Sequence, residues 1–176
     1  MVAIPFFIVC SLQNNSISAL LIFILACITD YLDGMLARKY FIESNFGKIM
    51  DPLADKLLTI SALFIITFPP IAYIHWSVIL IILLREITIT LLRQYYQYKG
   101  LIIPANIWGK VKTTAQMMGI VGALVVHTIL QINFFSPLKI FEENILLGIK
   151  IVFWIIVAIT IVSGVNFLVV KKNEEK

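Results

Sequence analysis

Long apolar stretches alternate with short polar clusters along the whole chain. A helix needs about 20 apolar residues to cross a bilayer. Five stretches approach that length, and a shorter one precedes them. The alternation predicts helical spans over roughly residues 2–12, 17–36, 52–71, 76–95, 111–130 and 145–170. Polar or helix-breaking segments at Gln13–Ser16, Pro69-Pro70 and Gln131–Asn144 separate several of these spans.

Composition supports a membrane protein. Of the 176 residues, 60% are hydrophobic and 14% are charged, whereas soluble domains carry about 45–50% apolar and about 25% charged residues. We therefore expect an all-α polytopic membrane protein with six transmembrane helices in a single domain, residues 1–176, the first helix being short or truncated. The net charge is +4, but no Lys/Arg-rich run with interleaved aromatic residues is present, which argues against nucleic-acid binding.

Basic residues are distributed unevenly among the connections. The first-to-second and third-to-fourth connections contain no Lys or Arg, and the fifth-to-sixth region places Lys139 and Lys150 beside Glu142 and Glu143. Because positive loops stay on the cytoplasmic side, we expect both termini and the two basic connections to face the cytoplasm, in a bacterial plasma membrane. The basic residues behind this orientation are Arg38, Lys39, Lys48, Lys56, Arg93, Lys99, Lys110, Lys112, Lys171, Lys172 and Lys176.

Four aspartates stand out beside the first basic connection. Asp30 and Asp33 are three residues apart in the second span, and Asp51 and Asp55 are four residues apart at the next. Each spacing places a pair on one helix face. Clustered carboxylates near a membrane are costly unless they are paired, and Mg²⁺ or Mn²⁺ is the natural neutralising ion; two ions could fit. Alternatively, Asp51 before Pro52 is a helix N-cap, which would leave Asp30 and Asp33 unexplained.

A second group of polar residues surrounds the fourth-to-fifth connection. Its basic members predict an anion site, because Arg and Lys are the usual phosphate-binding residues. Arg85 lies well inside the fourth span, so an internal ion pair with Glu86 or an aspartate is an alternative. The others could instead extend their charged ends to the membrane surface. The four basic residues are Arg85, Arg93, Lys110 and Lys112.

The pattern Asp-x2-Asp-Gly-x2-Ala-Arg-x8-Gly-x3-Asp-x3-Asp, from Asp30 to Asp55, resembles the signature of the CDP-alcohol phosphatidyltransferase family at all eight fixed positions. The resemblance implies six transmembrane helices, a homodimer and a polar cavity open to the cytoplasm. It implies that Asp30, Asp33 and Asp51 bind metal, and that Asp55 completes the site and acts as general base on the acceptor hydroxyl. The residues that would border the cytidine nucleotide are Asp30, Gly34, Ala37, Arg38 and Gly47.

The motif Arg85-Glu-x6-Arg, followed by Gly109-Lys-x-Lys-Thr-x2-Gln116, resembles the phosphatidylglycerophosphate synthase branch of that family. This implies CDP-diacylglycerol as donor, glycerol 3-phosphate as acceptor, and binding of the acceptor phosphate by the four basic residues. Serine, an inositol phosphate or phosphatidylglycerol remain alternative acceptors, and a divalent-cation transporter is a remote alternative. Family members usually begin with an Asn-x-Leu-Thr-x2-Arg segment, and this sequence starts beyond it.

Overall fold

The computed structural model describes residues 3–40, 45–99, 107–132 and 142–174; the side chains at 30–31, 33–34, 36–40, 45–55, 97 and 168–174 lie outside that description. All regular structure in these ranges is helical. The helices are α1 (Ala3–Leu12), α2 (Ser16–Tyr40), α3 (Asn45–Thr67), α4 (Trp76–Tyr98), α5 (Ile107–Gln131) and α6 (Glu142–Glu174). The prediction of an all-α chain with six helices is confirmed for the described residues.

Two helical segments in the described part of the chain are long and apolar enough to cross a membrane. They are Ile107–Gln131, which is the whole of α5, and Glu142–Phe167 in α6. The shorter apolar segments Ala3–Leu12, Ser16–Thr29 and Lys56–Thr67 belong to α1, α2 and α3. Six membrane crossings therefore stay a prediction.

Helix boundaries correct two details of the sequence analysis. The third helix begins at Asn45, so Asp51 and Pro52 lie within it and the N-cap interpretation of Asp51 is wrong. Pro52 is the eighth residue of this helix, so it lacks the backbone donor that would bond to the carbonyl four residues earlier. The fifth helix begins at Ile107, before the predicted start at residue 111. Lys110, which precedes the predicted span, is therefore helical, and Lys112, which lies within that span, is helical as well.

Two compact units are distinguishable, and the first comprises Met1–Ala72 and Ile120–Phe141. In it, α1 packs against α2 and α3, and α2 packs against α3. Phe7 and Phe23 are fully buried, with ring centroids 5.4 Å apart. The α1–α2 turn is short because Asn14 adopts a positive φ of 57°, a conformation that asparagine tolerates better than most residues.

The second compact unit comprises Tyr73–Gly119 and Glu142–Lys176, and in it α4 packs against α6. At Gly119 of α5 the absence of a Cβ leaves room for a side chain of α6, because a Cβ there would lie 2.6 Å from Ile156 Cδ1. Polar side chains enter the core of this unit at Lys112, Gln116, Thr160 and Ser163, all of which are buried. Buried polar groups in an apolar core need partners, so these residues mark a region whose hydrogen bonds must be traced.

Tyr73 lies in the connection before α4, outside the predicted spans. Its burial raises the pKa of the phenol to about 12, and the negative charge of Glu142 adds to the effect. Both causes disfavour the phenolate. Tyr73 therefore remains neutral at every physiological pH.

Candidate active site

All four aspartates of the chain lie in the signature, two on α2 and two on α3. Because both helices are continuous through these positions, the spacings of three and four residues place each pair on one face. The two helices pack against each other in the first unit. The side chains of this site lie outside the described residues, so carboxylate convergence and nucleotide contacts stay predictions for Asp30, Asp33, Gly34, Ala37, Arg38, Gly47, Asp51 and Asp55.

A charged cluster in the second unit joins α4 to α5. Glu86 Oε1 accepts hydrogen bonds from the Lys112 ammonium and from Arg85 Nη1, the latter at 3.3 Å. Lys112 is only 4% exposed, and the side chains of Arg85 and Glu86 are 16% and 18% exposed. Arg85 therefore forms the internal ion pair with Glu86 that the sequence analysis considered. Two cations therefore share the Glu86 carboxylate.

The sixth helix supplies another partner to this cluster. Arg85 Nη2 donates a hydrogen bond of 2.7 Å to Ser163 Oγ, and Ser163 is buried. The next residue, Gly164, has no side chain, and a Cβ there would lie 3.6 Å from Arg85 Cγ and 3.9 Å from Arg85 Nε. Thus α6 holds one edge of the guanidinium while a glycine lies beside its Nε.

Two buried polar atoms beside these contacts lack a hydrogen-bond partner within the described residues, namely Arg85 Nε and Gln116 Oε1. Gln116 is 3% exposed. It follows Lys112 by four residues in α5, so the two side chains leave the helix on the same face. A buried donor or acceptor without a partner costs about 1–3 kcal/mol, which makes this cluster a candidate for binding a polar ligand.

The other two predicted basic residues are exposed. The Arg93 guanidinium carbon lies 5.9 Å from the centroid of the Phe167 ring, within the range of a cation–π contact. Lys110 is also exposed, at the start of α5. The four predicted phosphate-binding residues therefore divide into a buried pair, Arg85 and Lys112, and an exposed pair. Their role in binding an acceptor phosphate stays a prediction.

Sequence reasoning did not predict a role for Ser163 or Gln116. Gln116 was visible as the last position of the second motif, but its burial was not. Ser163 lies in the longest apolar stretch of the chain, where a single hydroxyl is easily overlooked. The available signal was the step Ser163-Gly164, a hydrogen-bonding residue next to a small one, which is typical of close polar contacts between apolar helices.

Comparison with known proteins agrees with the signature. Residues 1–165 match the model of the family described as CDP-alcohol phosphatidyltransferase. Proteins of Mycoplasma pneumoniae and Bacillus subtilis, both named CDP-diacylglycerol–glycerol-3-phosphate 3-phosphatidyltransferase, are 52% identical over 99 residues and 38% identical over 165 residues. A Haemophilus influenzae protein of the same name is 38% identical over 130 residues.

The extent of these matches differs. The Mycoplasma pneumoniae alignment covers 56% of this chain and 43% of the relative, and an alignment with a Mycoplasma genitalium protein of the same name covers 46% of that relative. The Bacillus subtilis alignment covers 94% of this chain and 78% of the relative, and the Haemophilus influenzae one covers 70% and 69%. Because the family match spans most of the sequence, the resemblance seen in the signature is confirmed: this chain belongs to the CDP-alcohol phosphatidyltransferase family.

Proposed function

We propose that this chain transfers the phosphatidyl group of CDP-diacylglycerol to glycerol 3-phosphate, which yields phosphatidylglycerophosphate and CMP. The observation that carries the proposal is the alignment with the Bacillus subtilis protein of that activity by name, which extends over 94% of the chain. The signature from Asp30 to Asp55 lies inside it, with every fixed position present. The activity is thus proposed on the full pattern and not on an isolated motif.

The four aspartates would bind two metal ions, either Mg²⁺ or Mn²⁺. Their donor atoms are carboxylate oxygens, the ligands that these hard cations prefer. Paired spacing on two packed, continuous helices is compatible with a shared site. Bound cations would supply neutralisation of negative charge on the diphosphate during its cleavage.

Each signature residue would then have a separate role in the reaction. Asp55 takes the proton from the 1-hydroxyl of glycerol 3-phosphate, and the oxygen attacks the phosphorus that bears the diacylglycerol. A new P–O bond forms to glycerol phosphate, the P–O bond to CMP breaks, and CMP leaves with the electron pair. Gly34, Ala37, Arg38 and Gly47 border the nucleotide. No covalent link to the enzyme is required.

The acceptor phosphate would bind at the basic residues of α4 and α5. The cluster contributes the part-exposed guanidinium of Arg85. Arg93 and Lys110 are exposed and can attract the dianion from water. In this proposal the active site and both termini face the cytoplasm of a bacterial plasma membrane, and the enzyme is a homodimer.

The test is CMP release by the purified chain in detergent, with CDP-diacylglycerol, Mg²⁺ or Mn²⁺, and a panel of acceptors. We expect turnover with glycerol 3-phosphate but not with serine, inositol phosphate or phosphatidylglycerol. Chelation should abolish it. Turnover with another acceptor alone would overturn the acceptor assignment, and full activity under exhaustive chelation would overturn the role of the metal.

The general base is tested by Asp55→Asn. Because proton transfer by a positioned side chain contributes about 10²–10⁴-fold, we expect kcat to fall by that factor while the protein still inserts into membranes. Glu143→Gln is the matched control, since it removes an exposed carboxylate from the first turn of α6. Wild-type turnover by Asp55→Asn would eliminate the assignment.

A further inference from the structure

The sixth helix contacts both arginines of the second motif. Arg85 Nη2, on α4, donates a hydrogen bond of 2.7 Å to Ser163 Oγ. Further along α4, the guanidinium carbon of Arg93 lies 5.9 Å from the centroid of the Phe167 ring. Ser163 and Phe167 are four residues apart, so they lie on one face of α6. All four residues belong to the second compact unit, and within it one face of α6 supports two cations of α4.

The contacts of Arg85 restrict the orientation of its guanidinium. Ser163 is only 2% exposed, so water does not compete for its hydroxyl. The next residue, Gly164, lies against the aliphatic stem, because a Cβ there would lie 3.6 Å from Arg85 Cγ. The other terminal nitrogen, Nη1, donates to Glu86 at 3.3 Å. The side chain is therefore held along its stem and at both terminal nitrogens.

Arg93 is supported by a contact of a different kind. Its side chain is exposed, whereas the Phe167 ring is only 4% exposed. A cation over an aromatic ring is attracted by the ring quadrupole, and a ring packed in the core gives the guanidinium a fixed surface to contact. The positive charges of Arg85 and Arg93 also repel each other. A bound anion would relieve this repulsion.

An arginine binds phosphate through a planar fork of donors, so its orientation decides how well it binds. Ser163 and Phe167 are both buried, and neither is basic. We propose that Ser163 and Phe167 are positioning residues, which orient the guanidinium groups of the two motif arginines for the phosphate of glycerol 3-phosphate. This inference rests on the proposed function and deepens it. In this way α6 contributes to acceptor affinity through α4, without contacting the substrate.

The test measures KM separately for glycerol 3-phosphate and for CDP-diacylglycerol, with the purified enzyme in detergent. Ser163→Ala removes one hydrogen-bond acceptor and should raise the KM of glycerol 3-phosphate by about 3- to 10-fold. Phe167→Leu removes the ring and should raise the same KM by about 2- to 5-fold. The KM of the donor and kcat should stay unchanged, because the lost interaction concerns acceptor binding alone.

Two control variants separate this role from a contribution to packing. Thr160→Val is matched to Ser163→Ala, because it removes another buried hydroxyl of α6, whose hydrogen bond goes to the carbonyl of Ile156 in the same helix. Trp154→Leu is matched to Phe167→Leu, since Trp154 is an exposed aromatic residue of α6. The controls can lower Tm, but the ratio of the two KM values should equal that of the wild type.

The variant Arg85→Lys tests whether Ser163 acts through Arg85. Lysine keeps the positive charge but has no guanidinium fork. In the Arg85→Lys background, Ser163→Ala should raise the KM of glycerol 3-phosphate by a smaller factor than in the wild type, because the contact that it removes is already absent. Equal factors in the two backgrounds would overturn the assignment of Ser163.

The remaining outcomes also decide the proposal. A folded Ser163→Ala enzyme with an unchanged KM for glycerol 3-phosphate, or with equal increases in both KM values, would overturn it. If Ser163→Ala fails to fold, Phe167→Leu must show the selective increase, and its absence there would overturn the proposal as well. Absence of any turnover of glycerol 3-phosphate by the wild type would instead overturn the proposed function, and this inference with it.

Discussion

Removing the carboxylate of Glu86 tests whether the buried cluster stabilises the second unit. In Glu86→Gln, the Lys112 ammonium keeps its buried position but loses the charge of the Glu86 carboxylate, and Arg85 loses the same oxygen. Removing one partner of a buried ion pair destabilises a protein by about 3–5 kcal/mol. Glu86 is 18% exposed, so water can reach the site and we expect the lower end, about 3 kcal/mol.

Lys112→Met should be milder, because Arg85 Nη1 remains 3.3 Å from Glu86 Oε1 and still compensates its charge. We expect about 1–2 kcal/mol, less than the full penalty for an uncompensated buried charge. The double variant Glu86→Gln/Lys112→Met should lose less than the sum of the single variants, since both substitutions remove the same Lys112–Glu86 contact. Lys110→Met, at an exposed position of the same helix, should change stability by less than about 0.5 kcal/mol.

The assay is thermal unfolding in detergent followed by tryptophan fluorescence. All three tryptophans, Trp76, Trp108 and Trp154, lie in the second unit, so their emission reports on that unit. For a chain of this size, about 3 kcal/mol corresponds to a decrease of Tm by about 6–12 °C. If Lys112→Met were no more destabilising than Lys110→Met, or if the losses in the double variant simply added, the cluster would not be an energetically coupled pair.

Two further perturbations follow from the structure. Because the pKa of Tyr73 is raised to about 12 by burial and by Glu142, its contribution to stability is complete below pH 10 and is lost as pH rises through about 12. The absorbance titration of the wild type minus that of Tyr73→Phe should show a single phenol that ionises near pH 12. A difference centred near pH 10 would refute this. Gly119→Ala brings a Cβ to 2.6 Å from Ile156, whereas Gly122→Ala meets nothing within 4 Å. Gly122→Ala should therefore raise Tm, because alanine is favoured over glycine in helices by about 1 kcal/mol. Gly119→Ala should be less stable than Gly122→Ala by about 1–3 kcal/mol, and equal Tm values would contradict the contact of Gly119 with the Ile156 side chain.

The number of helices and most of their boundaries could be predicted from the sequence, because apolar runs and polar breaks are local signals. The predicted turn at Gln13–Ser16 falls between α1 and α2, and α4 begins at the predicted Trp76. Prediction failed at the start of α5, which lies four residues before the predicted residue 111, and it did not indicate that Lys112 is buried. Lys112 is helical and buried because Glu86, which is distant in sequence, compensates its charge.

Only the part of the candidate site whose residues are close together in the sequence, at helical spacing, could be predicted. The aspartate signature is local in sequence, so the family could be identified from one short stretch. The residues of the charged cluster come from three helices, and the contact of Arg85 with Ser163 joins residues 78 positions apart. No local pattern encodes such a contact, because it depends on how α4 packs against α6.

The same cluster explains why a hydropathy count undervalues α4. A charged residue at the centre of a membrane helix is unfavourable by about 2.5–3.5 kcal/mol on insertion scales, so Arg85 and Glu86 count strongly against a span. That penalty refers to isolated charges. In the structure the two side chains form an ion pair with each other and are further satisfied by Lys112 and Ser163. A helix whose charges are compensated by its neighbours can lie in apolar surroundings without appearing apolar in sequence. The proposed substrates, a diphosphate lipid and a phosphorylated acceptor, are anions, so the helices that bind them must carry such charges, and the least apolar helices are where function should be sought.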